Sequence, residues 1–438
     1  MRRRPLGVAL LLLLAACAPR SAPPPVTESG VWFLEVAGGE PVWLDPGTLT
    51  AIGLDPHQDA PPAARISHSD NMLPLLPLQT GGGWGLLFVV PDGATRYTDR
   101  THVRIAVDEL GPAMASANPP SPGPAADGAW VSSRRERDER YLPQAEITRP
   151  WFWRPLYAPA VVTHTWTLTD PVPGPMTVTL HLWSHTDLPP DPDHRLRLRW
   201  DGRPVGEWTW DGIGVQHLTA SWDVADPGQH ALAIETPALP EVDAAVVWID
   251  GWDVTALQRI SADGTLWQAA GEGLRLQGAP EGARLLDVTD PLAPVDLGPI
   301  PDDGLVGTEP GHHYWAGTPS AAQGPLVVRP AERVDLDALP GVDYLVEALP
   351  DLRYLLLVGD GTVEPGGYDG DAGALRVVTP LTRTRVLGET PADGLLGGQR
   401  VAVGRLPATS ADEVSIIVDK VLRWESQETE PQILLLSD

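Results

Sequence analysis

The sequence predicts a multidomain protein that combines β domains with a C-terminal α/β domain. Two observations support this prediction. Between residues 141 and 260 several short segments alternate polar and apolar residues, which is the period of a half-buried β-strand. Near the end of the chain, continuous apolar runs flank one amphipathic segment, as in a parallel sheet with a crossover helix. The length of 438 residues is sufficient for two or three domains.

The first residues have the pattern of an export signal. Three arginines at positions 2 to 4 precede an apolar run that is too short to span a bilayer comfortably. The run ends with Leu14–Cys17, which reads Leu-Ala-Ala-Cys and resembles the lipobox of bacterial lipoproteins. We therefore expect residues 1–16 to be a signal peptide, Cys17 to be the lipid attachment site, and the Pro- and Ala-rich residues 17–30 to be an extended tether.

The alternative is an ordinary signal peptide that is cut after Ala16 and leaves a free cysteine. Under the lipoprotein interpretation the protein is exported and lipid-anchored to the cell envelope. Ala18 follows the cysteine where an aspartate would otherwise direct retention, so the outer membrane is favoured in an organism with two membranes.

Composition excludes several function classes. The formal net charge is −27, with 58 acidic and 31 basic residues, which disfavours nucleic acid and anionic lipid as partners. The single cysteine is assigned to the anchor, so the 438 residues offer no disulfide, no cysteine-based metal site and no further thiol nucleophile. The sequence also contains no Gly-x-Ser-x-Gly elbow, no His-Glu-x-x-His motif and no phosphate-binding loop.

The region before the alternating segments is predicted to contain one small domain and a linker. Over residues 31–110 short apolar runs alternate with Pro and Gly, which predicts a small β domain. Residues 111–140 are predicted to be a linker, because residues 111–128 are rich in Pro, Ala and Ser without periodicity. The run Arg134–Arg140 is mixed in charge and is predicted to be a solvated approach to the next domain.

Residues 141–260 are predicted to form an antiparallel β-sandwich of jelly-roll type. Arg195–Trp200 alternates arginine with apolar residues, and Asp201-Gly202 after it is a hairpin signal. Several strands at short, regular spacing are typical of such a sandwich.

Tryptophan is abundant, with 17 residues against only 3 phenylalanines. Exposed indoles could stack on sugar rings, which would indicate carbohydrate binding. The core interpretation is favoured because several tryptophans stand in register with aliphatic neighbours. The tryptophans assigned to the core are Trp166, Trp183, Trp200 and Trp208.

The rest of the chain is predicted to change from β to α/β. Residues 261–325 have the pattern of a further small β segment, and residues 326–438 that of a partial α/β domain. Tyr354–Val358 is a continuous apolar run, as expected for a strand buried on both faces. Arg400–Val403 and Ile433–Leu436 predict two more strands.

A helix is predicted between these last two strands. Ser410 and Glu413 form a capping box at its start. Helical spacing places the following residues on one apolar face: Val414, Ile417, Val418, Val421 and Leu422.

Three of these segments resemble the catalytic domain of gingipain-type cysteine peptidases, family C25. They are Tyr354–Asp360 (YLLLVGD), Val401–Ala408 (VAVGRLPA) and the helix through Glu413–Glu425, and they occur in the order of the family. The sandwich and the segment 287–291 are similar to β regions that precede the peptidase domain in bacterial members. The resemblance covers roughly residues 141–438 and implies a caspase-like α/β fold.

The resemblance implies catalysis by a His-Cys dyad, in which a thiolate attacks the scissile carbonyl and an imidazole manages its proton. In the family both residues follow the helix that matches residues 410–425, and no histidine of this chain does so. No catalytic residue is therefore assigned, and the chain is expected to be a fragment or an inactive homologue. Only Glu347–Arg353 separate two predicted strands that the family joins through longer crossovers, which indicates an internal deletion as well.

Some family members bind calcium near these loops. Asp360, Asp369, Asp371 and Asp393 offer oxygen ligands of the kind that calcium prefers. The alternative is that these aspartates cap turns, since no spacing here resembles a defined calcium loop.

Two functions are consistent with the sequence. The first is a surface lipoprotein related to gingipain-type endopeptidases, which acts on a protein or peptide substrate only in a longer form that supplies the dyad. The alternative is a non-catalytic surface lipoprotein that binds a glycan or a protein. Exposed tryptophans clustered on one face would favour glycan binding.

Overall fold

The computed structural model describes residues 26–93, 100–145, 147, 149–189, 191–224, 226–242, 244–333, 354–359, 381–384, 388–393, 402–408 and 410–425. The chain divides into two compact units, one of residues 25–334 and one that contains residues 335–438. Within the described residues, no helix is both long enough and apolar enough to cross a bilayer.

The strands of the first unit, in chain order, are β1 (Val26–Val36), β2 (Pro41–Leu44), β3 (Ala64–His68), β4 (Asn71–Leu73), β5 (Leu76–Thr80), β6 (Gly83–Val89), β7 (Thr101–Val107), β8 (Ala115–Ser116), β9 (Ala125–Ala126), β10 (Ala129–Glu136), β11 (Arg140–Tyr141), β12 (Trp151–Phe152), β13 (Arg154–Tyr157), β14 (Ala160–Leu168), β15 (Pro171–Ser184), β16 (His194–Trp200), β17 (Arg203–Trp210), β18 (Gly214–Val224), β19 (Gly228–Thr236), β20 (Val246–Gln258), β21 (Leu266–Gln268), β22 (Gly273–Arg275), β23 (Arg284–Asp287), β24 (Val295–Pro299), β25 (Leu305–Gly307), β26 (His313–Gly317) and β27 (Val327–Arg333). The unit also contains helix α1 (Pro46–Ala51) and a 3-10 turn (Pro319–Ala321). The second unit contains β28 (Tyr354–Val358), β29 (Leu381–Thr384), β30 (Gly388–Pro391), β31 (Ala402–Leu406) and helix α2 (Ala411–Glu425).

The N-terminal β region is built from two sheets around one core. A five-stranded sheet has the order β27-β1-β7-β3-β4, and a three-stranded sheet has the order β2-β6-β5. Residues from both sheets and from α1 share a buried cluster, in which Leu34, Leu49 and Phe88 are fully buried. Asp45 caps α1 by accepting a hydrogen bond from the Thr48 amide at 2.6 Å.

Strand β27 corrects the predicted domain boundary at residue 326. It pairs antiparallel with β1, and Val328 packs against the N-terminal core. Residues 327–333 therefore belong to the first unit and not to the α/β domain. The strand lies at the edge of its sheet, where Pro330 needs no amide proton for pairing. A partner strand about 300 residues away leaves no signal in the local pattern of the sequence.

The predicted antiparallel sandwich consists of two sheets that share one core. The larger sheet includes the order β18-β15-β20-β10, and the smaller one has the order β14-β19-β16-β17. Leu196 and Leu198 from β16 and Met176 from β15 are fully buried in the shared cluster. The alternation of Arg195–Trp200 therefore predicts the inward face of this strand correctly.

Strand β10 corrects the predicted linker. Residues 129–136 pair along their whole length with β20, so the first three residues of the charged run lie in the sandwich sheet. Successive side chains of a β-strand point to opposite faces of the sheet, so neighbouring arginines of this run have different surroundings. Arg135 lies 5.2 Å from the centroid of the Trp166 ring, whereas Arg134 lies on the outer face beside Asp250 and Asp253. The larger sheet continues through β21 and β26 into the predicted small β segment, whose own core stacks Trp267 on Tyr314.

The second unit contains a parallel strand pair, as predicted. β28 and β31 run parallel, with Tyr354 opposite Ala402 and Val358 opposite Leu406. Leu355 and Leu357 are buried, whereas Leu356 and Val358 are 41% and 39% exposed. The predicted burial of both faces of this strand is therefore wrong, because an unbroken apolar run does not determine how many layers cover a strand.

Helix α2 follows β31 and begins at the predicted cap. The amide of Glu413 donates a hydrogen bond to Ser410 Oγ at 3.3 Å. On the predicted apolar face Val414, Ile417 and Val418 are half-buried, while Val421 and Leu422 at the end of the helix are exposed. The third predicted strand, residues 433–436, lies outside the described residues.

Candidate functional site

The carboxyl ends of β28 and β31 form the first candidate site. In open α/β sheets, ligands and catalytic groups gather at this edge. The register places Leu357 of β28 opposite Arg405 of β31, and Gly359 follows directly after β28. Gly359 has a φ of 145°, which a residue with a Cβ rarely adopts. The glycine of the VGD motif is thus required by the turn that leaves the strand.

Arg405 connects three segments at this edge. Its Nε and one terminal nitrogen donate hydrogen bonds to the two carboxylate oxygens of Asp393, at 2.7 and 2.6 Å. Its other terminal nitrogen donates to the carbonyl oxygen of Gly359 at 2.8 Å. The Arg405 side chain is only 11% exposed. This two-pronged geometry is the strong form of an arginine–carboxylate pair.

This pairing bears on the predicted calcium ligands. The positively charged guanidinium of Arg405 is hydrogen-bonded to both oxygens of Asp393. This pairing disfavours the binding of a cation at the same carboxylate. Asp360, Asp369 and Asp371 lie outside the described residues, as does Cys17, so these predicted positions are untested. Asp393 acts in the described structure as the partner of an arginine at a strand end.

A second cluster of carboxylates lies at the loop end of the sandwich. Oxygens of Asp187, Asp193 and Asp211 lie within 4.8 Å of one another and could hold a metal ion. Asp193 is fully buried, and its two oxygens accept hydrogen bonds from the amides of Leu188 and Gly212 at 2.9 and 3.0 Å. Desolvation and then the neighbouring Asp191 raise the pKa of Asp211.

A third cluster lies on the outer face of the large sheet, where carboxylate oxygens of Glu136, Asp138 and Asp250 lie within 4.8 Å of one another. Burial, followed by repulsion from Glu136, raises the pKa of Asp250 to about 6, against the opposing effect of Arg134. Arg134 lies 3.2 Å from Asp250, and Arg149 donates a hydrogen bond to Asp138 at 3.1 Å. Arg134 and Arg149 already neutralise part of the negative charge of this cluster. The remaining negative charge attracts a metal cation less strongly.

Sequence reasoning did not select either of these clusters as a metal candidate. The abundance of acidic residues, 58 in the chain, hides any three that meet in space. The one local signal is Asp191-Pro192-Asp193, a turn-forming tripeptide directly before β16. The Glu136–Asp250 proximity depends on the pairing of β10 with β20, which the linker prediction concealed.

The four tryptophans that the sequence assigns to the core are buried or packed against it. Of the tryptophans in residues 32–315, all of which the structure describes, none is exposed. Trp166, Trp183 and Trp200 are buried, and Trp208 is half-buried against the sandwich core. No exposed cluster of indoles, which would favour glycan binding, is therefore found among these tryptophans.

One cleft of about 620 Å³ nevertheless lies between the sandwich sheets at the end of β18. It is lined by Trp200 and Trp222, whose ring centroids are 5.4 Å apart, and by Asp201, Asp223 and Asp226. The buried Nε1 of Trp222 has no hydrogen-bond partner within the described residues.

Comparison with known proteins agrees with the geometry at the strand ends. Residues 342–438 match the sequence profile of Peptidase family C25. The crystal structure of dimeric latent PorU from Porphyromonas gingivalis has the same fold, with a TM-score of 0.62 and 14% identity over 90% of this chain. The resemblance to gingipain-type peptidases is thereby confirmed. This chain spans 50% of that PorU chain.

Two carbohydrate-binding modules are similar to a smaller part of the chain. The CBM36-1 domain of a xylanase from the hindgut metagenome of Trinervitermes trinervoides shares 17% identity over 28% of this chain and 95% of its own, with a TM-score of 0.21. A CBM36 module in complex with calcium and xylotriose shares 14% identity over 28% of this chain and 98% of its own, also with a TM-score of 0.21. Scores this low support no conclusion about ligands. No curated protein matches the chain significantly.

Proposed function

We propose that this protein is an exported, lipid-anchored relative of the gingipain-type cysteine peptidases and acts in proteolysis at the cell envelope. The observation that supports the proposal most is the family match over residues 342–438, which contains the β28–β31 pair and Arg405 at its edge. The anchor is Cys17, and the outer membrane is the expected location. Protein or peptide is the expected substrate class.

The described residues contribute a scaffold to this function. In the caspase-like arrangement that we propose for the second unit, the carboxyl edge of the parallel sheet presents the catalytic groups. Arg405 fixes that edge by connecting β31 to the Gly359 turn and to Asp393. The jelly-roll connectivity of the sandwich belongs to the same proposal.

The chemistry itself requires a thiolate and an imidazole beyond the scaffold. The only cysteine of the 438 residues is Cys17, which the proposal assigns to the lipid. Peptidase activity therefore depends on a dyad from outside these residues, and the 438-residue polypeptide alone is an inactive homologue. Calcium at the strand-end loops remains part of the proposal only through Asp360, Asp369 and Asp371.

Peptide hydrolysis tests this function. The purified 438-residue polypeptide and the protein extracted from native membranes are each incubated with a fluorogenic peptide library, with and without iodoacetamide. We expect no cleavage by the polypeptide and iodoacetamide-sensitive cleavage by the native protein. Iodoacetamide-sensitive cleavage by the polypeptide would contradict the assignment of Cys17.

The second candidate function is non-catalytic glycan binding, which the cleft beside Trp222 favours. Indole faces together with carboxylates are suited to sugar hydroxyls and ring carbons. A panel of soluble oligosaccharides, tested by calorimetry, decides this candidate. Binding that is lost in Trp222→Ala would support it, and the absence of binding by the parent protein would exclude it.

A further inference from the structure

The outer face of the large sandwich sheet carries a ladder of matched polar pairs. β15 and β18 are antiparallel neighbours, and residues directly opposite each other point to the same side of the sheet. Three successive pairs on this face are joined through their side chains: Thr177 with Ser221, Thr179 with Thr219, and His181 with His217.

The histidine pair at the end of this ladder has an unusual geometry. The Nδ1 atoms of His181 and His217 are 2.9 Å apart. The Nε2 atom of His181 lies 2.5 Å from Oδ2 of Asp253, which is on the next strand, β20. Two imidazoles and one carboxylate therefore form a chain across three adjacent strands.

Asp253 determines which nitrogen of His181 carries the proton. An ionised carboxylate only accepts hydrogen bonds, so Nε2 of His181 must be the donor. In the neutral ring Nδ1 of His181 then has a free lone pair, directed at His217. A carboxylate that fixes a histidine tautomer in this way is the usual outer partner of a metal-binding histidine.

We propose that His181 and His217 bind one divalent transition-metal ion of the kind that prefers imidazole, such as copper, nickel or zinc, through their Nδ1 atoms. Metal–nitrogen bonds of about 2.0–2.1 Å at a tetrahedral angle place two ligand nitrogens about 3.3 Å apart. The pair needs to open by only a few tenths of an ångström. On binding, the proton on Nδ1 of His217 moves to its Nε2 through solvent.

The surroundings are suited to a metal ion. His217 is exposed and the His181 side chain is 17% exposed, so an ion can enter and keep water ligands. Arg134 lies 3.7 Å from the Asp253 oxygen that His181 Nε2 contacts, so its charge is paired with this carboxylate and is separated from the two Nδ1 atoms by the His181 ring. The net charge of −27 favours cation approach.

The adjacent pair His312 and His313 is a poorer metal site. His313 begins β26 and His312 precedes that strand. His312 is instead bonded to Asp287, with Nδ1 2.8 Å from the carboxylate. The pair His181 and His217 is separated by 36 residues and meets only through the β15–β18 register.

Copper(II) alone is the probe for this site, added to the purified full chain. Calorimetry measures affinity and stoichiometry, and electron paramagnetic resonance counts the coordinated nitrogens. We expect one site with two nitrogen ligands. His217→Ala should weaken binding at least tenfold, and Asp253→Asn by 10- to 100-fold, the usual effect of losing an outer partner. His57→Ala, which removes another exposed histidine, is the control and should change nothing.

Because His217 is exposed, its loss should not affect folding, which circular dichroism checks. Unchanged affinity and an unchanged nitrogen signal in His217→Ala would overturn the proposal. So would a tenfold loss in His57→Ala, which would assign the copper to another place.

Discussion

Arg405 donates hydrogen bonds to both carboxylate oxygens of Asp393, at 2.6 and 2.7 Å, and places its third nitrogen on the carbonyl of Gly359. These hydrogen bonds link two motifs that are far apart in the sequence, VGD and VGRLP. The VGD motif ends one parallel strand, and the arginine of the VGRLP motif holds that end in place. The edge at which the family's chemistry is expected is thus fixed by a side chain of the scaffold.

Loss of the Asp393 carboxylate should loosen this edge. Asp393→Ala leaves the largely buried guanidinium of Arg405 without its main acceptor, which costs about 2–3 kcal/mol. Hydrogen exchange of the β28 and β31 amides measures this local effect. Asp419→Ala is the control, because Asp419 is 67% exposed and lies 3.9 Å from Arg423. Equal exchange rates in both variants would show that the Asp393 pair does not stabilise the edge.

Replacement of Asp250 should stabilise the protein in a pH-dependent way. Its pKa is raised to about 6 by burial and by Glu136. A carboxyl with a raised folded-state pKa stabilises the fold fully below about pH 4, and this contribution is lost as the pH rises through 6. The free energy of unfolding of Asp250→Asn, relative to that of the parent protein, should therefore be about 2 kcal/mol higher at pH 7.5 than at pH 4.

Urea denaturation at the two pH values measures this gain. Asp59→Asn, at an exposed position, is the matched control. A stability difference between Asp250→Asn and the parent protein that does not vary with pH would contradict the raised pKa.

His164 should make the protein sensitive to acid. Its ring packs against both Trp153 and Trp252, with centroid distances of 4.6 and 4.4 Å, and the two indoles stack on each other at 5.1 Å. Burial, and then nearby arginines, lower its pKa to about 4. A histidine with a lowered pKa stabilises the fold above its unfolded pKa near 6.5, and this contribution is lost as the pH falls towards 4.

His164→Phe keeps an aromatic ring against the two indoles and removes the titration. The loss of stability between pH 7.5 and pH 4.5 should shrink by about 1 kcal/mol, since the ring is only half-buried and solvent screens its charge. Guanidinium denaturation at both pH values checks this, with His313→Gln as an exposed control. An undiminished acid sensitivity in His164→Phe would assign the effect to other groups.

Cys17 should determine where the protein is found. Cys17→Ser prevents thioether formation with diacylglycerol, so the protein should move from the membrane fraction to the soluble exported fraction. Labelling with radioactive palmitate and fractionation measure both effects. Ser21→Ala in the tether should leave lipid and location unchanged. Membrane retention of unlabelled Cys17→Ser would favour another mode of attachment.

The sequence predicted those parts of the fold that depend on local periodicity. The alternation in Arg195–Trp200 identified the inward face of β16, and Ser410 marked the start of α2. The tryptophans Trp166, Trp183 and Trp200 were assigned to the core for the same reason. In each case one strand or helix presents its own hydrophobic pattern, and burial follows from it.

Features that depend on distant pairing were missed. β27 pairs with β1 although almost 300 residues separate them in the sequence. The charged strand β10 lies within a sheet, where Arg135 packs on the Trp166 ring. The clusters around Asp193 and Asp250 arise only after such strands are paired. The role of Asp393 likewise follows from Arg405 and not from the spacing of the aspartates.

One measurement tests the proposed function most directly. The protein is extracted from native membranes, treated with a peptidyl acyloxymethyl ketone that alkylates catalytic cysteines, and its intact mass is determined. We predict one probe per molecule, on a cysteine other than Cys17, in a protein heavier than residues 17–438 with their lipid. A membrane protein with the mass of these residues plus lipid and no bound probe would contradict the peptidase proposal and leave the binding function.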